Sequence, residues 1–156
     1  MTRKWLLLLA IILPFSAFAL NVEQAYVRGL PPTQKNTAAF FTLTNLGNEP
    51  LSIRAGSSSA AQRLEIHSHG QHNGMAGMRR EDSVTLAAGQ QLSFQPGGYH
   101  LMLINLTRPL RDGDRVQFSL IDDRGAEYQI EAPVRSVLKE APAGGHHQHH
   151  GHGEHH

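Results

Sequence analysis

In "YHLMLI", residues 99–104, a histidine and a methionine stand two apart in an otherwise apolar run that opens after the turn residues "PGG". Side chains two apart along a strand share a face. His100, Met102 and Ile104 therefore project together, and Tyr99, Leu101 and Leu103 project to the other side. The second set reads as core packing. The first puts two donor atoms where Val or Leu would serve a purely structural strand.

Outward from this run, residues 21–137 show no sustained 3.6-residue apolar period. They show short apolar or alternating runs instead: "AYVR" around Tyr26, "AAFFTLT" (38–44), "LSIRA" (51–55), "RLEIHS" (63–68), "SVTL" (83–86), "QLSF" (91–94), "RVQFSLI" (115–121) and "EYQIEAPV" (127–134). Between them stand "LPPT", "LGNEP", "AAGQ", "PGG", "RDGD" and "DDRG". Short strands at this spacing with Gly, Pro and Asp turns predict an all-β chain, an antiparallel sandwich or barrel. "LIDDRGAEY" is the clearest hairpin, because Gly125 can supply positive φ beside Asp123.

The two ends differ in kind from this region. Arg3 and Lys4, the apolar run from Trp5 to Leu13 and "AFA" at 17–19 form a secretory signal pattern, and Pro14 and Ser16 interrupt the run before it reaches the ~18 residues a membrane span needs. Residues 1–19 are thus expected to be removed on export to a periplasm, leaving a soluble protein. Residues 20–138 would form one domain. After Lys139 the composition shifts to "EAPAGG" and then "HHQHHGHGEHH", a flexible tail (139–156) with seven of the 11 histidines. Gln, Gly and Glu interleaved among them favour a natural metal-binding tail over a purification tag.

Composition narrows the chemistry. No cysteine is present, which excludes disulfides, thiolate nucleophiles, redox CxxC pairs and cysteine metal sites. Without Arg3 and Lys4 the chain carries 12 basic and 13 acidic residues. Nucleic acid and anionic membrane are poor partners for such a balance.

The remaining histidines, His67, His69, His72 and His100, and the methionines after the signal segment, Met75, Met78 and Met102, all fall between 67 and 102. Methionine used only as core filler would scatter over every strand. "RLEIHS" alternates Leu64 and Ile66 against Glu65 and His67, so His67 is expected opposite the core near a strand end. The glycine-rich "SHGQHNGMAGM" (68–78) then reads as a loop able to swing Met78 over the strand ends, with Met75 as the alternative thioether and His69 and His72 as loop residues. Thioether sulfur is soft and neutral and selects Cu(I), whereas zinc asks for thiolate, imidazole or carboxylate and a blue copper site needs cysteine. A Cu(I) site of two imidazoles and two thioethers is the reading that results. Imidazoles of the tail, His146, His147, His149, His150, His152, His155 and His156, suit Cu(II), Ni(II) and Zn(II) alike.

His67, ten residues, Met78, 21 residues, His100, one residue and Met102 reproduce the pattern of the periplasmic copper chaperones of the PCu(A)C family. "AYVRGLPPTQKNTAAFFTLTN" (25–45), "LEIHSH" (64–69), "MRRED" (78–82) and "PGGYHLMLINLTRPLRDGD" (96–114) also resemble that family. The resemblance implies a cupredoxin-like Greek-key sandwich. It further implies that an exposed edge holds Cu(I) through His67, Met78, His100 and Met102, and that the copper goes to the Cu(A) centre of cytochrome c oxidase. Some members carry a His- and Met-rich extension that binds Cu(II); the tail here has His without Met. Two departures are the abundance of His and Gly in the 68–78 segment and the second thioether at Met75.

The expectation is a monomeric carrier rather than an enzyme, with the Cu(A) subunit or another copper chaperone as acceptor. A copper oxidase or dismutase would need three or more imidazoles at one place. The alternative of another class is a metal-buffering or nickel- or zinc-binding protein working through its tail.

Overall fold

The computed structural model describes residues 19–72 and 74–137, with the side chain of His72 left aside. The signal segment and the histidine tail lie outside the described residues. Ten strands follow one another: β1 (Leu20–Gly29), β2 (Thr37–Asn45), β3 (Leu51–Ala55), β4 (Ala61–His72), β5 (Met75–Glu81), β6 (Val84–Leu86), β7 (Gln91–Phe94), β8 (His100–Leu106), β9 (Arg115–Asp122) and β10 (Glu127–Ser136). Among the described residues there is no α-helix, and none long and apolar enough to cross a membrane. The fold is an all-β, cupredoxin-like architecture.

The strands hydrogen-bond in the order β5-β4-β8-β2-β1-β10-β9-β3-β6, and β7 also pairs with β2. One edge of β2 carries β1. Its other edge is shared, Thr37–Ala39 facing Leu101–Leu103 of β8 and Phe41–Thr44 facing Gln91–Phe94 of β7. The turn between β7 and β8 is thereby held against the sheet, and this turn delivers His100.

One pairing departs from the antiparallel expectation. β1 and β10 run parallel, Val27 beside Val134. A parallel pair needs a long connection, and here the connection is nearly the whole domain, first strand to last. Turn spacing carries no trace of a pairing so remote.

Alternation places the core. Ile66 of β4, Leu101 and Leu103 of β8, Leu43 of β2, Ile53 of β3 and Phe118 of β9 are fully buried, and Phe41 stacks on Phe94 with ring centroids 4.5 Å apart. Asn45 closes one end: its buried amide donates to the carbonyls of Glu49, Leu86 and Ala87 and accepts from Gly47 N–H. The expected β9–β10 hairpin is present, with Gly125 at φ 84°. Asp122 fixes it by accepting from the Arg124 and Ala126 N–H groups and from the Tyr128 hydroxyl at 2.9 Å.

Residues 68–78 are not the expected loop. β4 runs through His67 to His72 and turns at Gly74, φ 79°, into β5, so the segment is a hairpin at the sheet edge. Every side chain of β5 up to Arg80 is exposed, so "MAGMRRE" shows no apolar alternation by which a strand could be recognised.

Candidate metal centre

Three strands carry the donors. His67 stands opposite His100 and Glu65 opposite Met102 on the β4–β8 ladder, while His69 stands opposite Met78 on the β4–β5 ladder. Directly opposed residues share a side of the sheet with Cβ atoms about 4.5–5.5 Å apart. Glu65, His67, His69, Met78, His100 and Met102 therefore lie on one face, with Leu64, Ile66, Leu101 and Leu103 on the core side. A loop swinging over strand ends is replaced by a ladder rung.

His100 is buried although it is on the outer face, with 5% of its surface exposed. The ring of His69 lies 5.4 Å from its own and that of His67 5.7 Å. His100 Nδ1 donates to the Gly98 carbonyl at 3.1 Å, which leaves the lone pair on Nε2 for an ion. Burial holds this imidazole below the ordinary histidine pKa; the Gly98 hydrogen bond opposes the shift, and His67, His69 and Arg28 reinforce it. A ring that stays neutral is the form a metal requires.

His67 is held differently. Its Nε2 donates to Glu65 Oε2 at 2.8 Å, and Glu65 also meets Arg63 at 2.7 Å and Arg80 at 3.6 Å. The His67 hydrogen bond keeps the Glu65 carboxyl below the usual carboxylate range, Arg63 and Arg80 assisting and burial opposing. With the proton on Nε2, the lone pair of His67 is on Nδ1, which is buried and has no hydrogen-bond partner. An orphaned buried acceptor costs roughly 1–3 kcal/mol, and an imidazole lone pair of this kind can bind a cation.

A cavity of about 200 Å³ opens on this face, lined by His69, Met78, His100 and Met102 together with Phe40 and Arg28. No carboxylate lines it. Arg28 lies 5.0 Å above the Phe40 ring and brings positive charge to the wall. The thioethers of Met78 and Met102 stand beside imidazoles on the cavity wall. Met75 is not brought in. It pairs with His72 near the hairpin tip, three residues from Met78 and hence on the opposite face.

Residues 20–134 match a family model described as "Putative lipoprotein LpqE-like". The chain belongs to the LpqE-like family, which is that of the PCuAC domain. Among its relatives is a protein of Leifsonia xyli subsp. xyli described as "Putative lipoprotein Lxx21020", 33% identical over 120 residues, spanning 76% of this chain and 71% of the relative. The solution structure of the Cu(I) form of DR1885 from Deinococcus radiodurans is 33% identical and superposes with a TM-score of 0.61 over 78% of this chain and 83% of that one. The copper-bound PCuAC domain of PmoF2, at 18% identity, shares the fold with a TM-score of 0.63 over 76% and 93% of the two chains.

In this LpqE-like chain the four pattern positions fall on β4, β5 and β8, and all four reach the same face. Glu65, Arg28 and Gly98 escaped the sequence reading, and His69 was assigned to a loop. The parity of Glu65, His67 and His69 along a longer β4 is the signal that would have exposed two of them.

Proposed function

We propose that this LpqE-like protein is a copper chaperone that binds Cu(I) through His67, Met78, His100 and Met102 and passes it to an acceptor. The carrying observation is that Met78, His100 and Met102 line one cavity, beside a His67 whose Nδ1 lacks a partner. Four neutral donors beside Arg28 disfavour a divalent ion, whose second charge nothing on the wall offsets, and soft sulfur favours Cu(I). Copper is cargo here. Rim-side donors such as Met78, 58% exposed, let an incoming thiolate displace them one at a time, so transfer is ligand exchange and nothing is turned over.

The acceptor we infer is the Cu(A) subunit of cytochrome c oxidase or a second copper chaperone, met by a monomer in the periplasm after signal cleavage. The histidines from His146 to His156 would gather Cu(II) as a second, weaker site, raising local copper near the domain as a tethered ligand does. The test is anaerobic mixing of the Cu(I)-loaded protein with an apo Cu(A) domain, followed by separation and copper analysis. Copper should move to the acceptor, and Met102→Leu should prevent loading. A protein that retains all its copper against such an acceptor is not its donor.

A further inference from the structure

Deepening that reading, and resting on it, we propose that His69 is a copper ligand, the solvent-side imidazole of the cavity formed with Met78, His100 and Met102. The sequence pattern passes over it. Four features of the structure converge on it.

His69 lines the cavity with both thioethers and His100, whereas His67 is not among the lining residues. Its rung partner is Met78, so an imidazole and a thioether stand side by side at the contact distance of a directly opposed pair. Its ring is also closer to that of His100 than the ring of His67 is, 5.4 Å against 5.7 Å. Finally, its backbone is anchored where the site is built. The Gly98 carbonyl accepts both the His69 N–H at 3.3 Å and the His100 Nδ1–H at 3.1 Å, and one oxygen thereby ties the two segments together.

The state of His67 explains why a further imidazole is useful. Its Nε2 is engaged by Glu65, and its Nδ1 is buried. It can serve a seated ion but offers nothing to one arriving from solvent. His69 is exposed and described with no side-chain hydrogen bond to break. An ion would therefore meet His69 and Met78 first, then His100 and Met102, and His67 and His69 would share the remaining place at the metal. An acceptor would displace His69 and Met78 first on the way out.

The experiment compares Cu(I) affinity by anaerobic competition with a chromophoric chelator, in the full chain with the seven tail histidines replaced by Gln. The variants are His69→Gln, His67→Gln and Met102→Leu. Copper K-edge X-ray absorption on the same samples counts nitrogen ligands, a readout that a structural role for His69 would not move. His69→Gln should weaken binding by at least about tenfold, the scale of losses around metal sites, with an unchanged apo melting temperature, and His67→Gln should still show two Cu–N scatterers because His69 takes the shared place. If His69→Gln binds within about twofold of the parent while Met102→Leu fails to bind, His69 is no ligand and the chaperone reading stands. If Met102→Leu binds as the parent does, the copper site itself is misplaced and both readings fall.

Discussion

Two of the donor side chains, His67 and His100, are each set by one hydrogen bond to a group that binds no metal. The Gly98 carbonyl fixes the tautomer of His100 and the Glu65 carboxylate that of His67. Such partners orient ligand rings and raise their basicity. His100 carries a consequence for pH. Its folded pKa is lowered by burial, so below the unfolded value of about 6.5 the unfolded chain takes up a proton that the folded chain refuses. Stability contributed by this group is complete above that value and falls as pH drops through it. Denaturant unfolding of the apo protein between pH 8 and 5 should show this loss, and His100→Asn should flatten the profile. An identical slope in the variant would show that His100 is not the group responsible.

At the scale of elements, the β4–β5 hairpin brings His69 and Met78 to the site, and its turn depends on Gly74 at φ 79°. A side chain in the left-handed region costs about 1–2 kcal/mol. Gly74→Val should loosen the hairpin locally, seen as faster amide exchange from Gln71 to Met78 and weaker Cu(I) binding, with little change in the cooperative melt because the hairpin is an exposed edge. A second glycine is needed for space. A Cβ on Gly56 would lie 2.2 Å from Ser119 Oγ and 2.8 Å from the Ser119 carbonyl oxygen. The hydroxyl could rotate away; the backbone oxygen cannot. Gly56→Ala should therefore destabilise the β3–β9 side by about 1–3 kcal/mol, the usual cost of overpacking, measured as a lower denaturation midpoint.

For the molecule as a whole, the sandwich class was legible because Leu101, Ile66 and Phe118 each alternate with a polar or exposed neighbour, and because Gly125 marks its hairpin without ambiguity. β5 was not legible. Its exposed side chains carry no core pattern, and only hydrogen bonds to β4 make it a strand. For the same reason His69 read as a loop residue, while His100 and Met102 were visible from their spacing alone. The parallel β1–β10 pair was hidden because no local signal encodes a contact between the two ends of a domain. The core that results should stand without metal: truncating Phe118, 1% exposed and 5.7 Å from the Phe41 ring, to Ala should cost about 3–5 kcal/mol, read from the apo protein's melting or denaturant curve.

The central claim is that thioether sulfur and imidazole nitrogen on the outer face of β4, β5 and β8 hold Cu(I). With no cysteine in the chain and no methionine after Met102, any sulfur bound to copper is a thioether from outside the tail. Extended X-ray absorption of the protein carrying one equivalent of Cu(I) reads this directly. Two copper–sulfur scatterers are expected; a spectrum of nitrogen and oxygen scatterers alone would contradict the account.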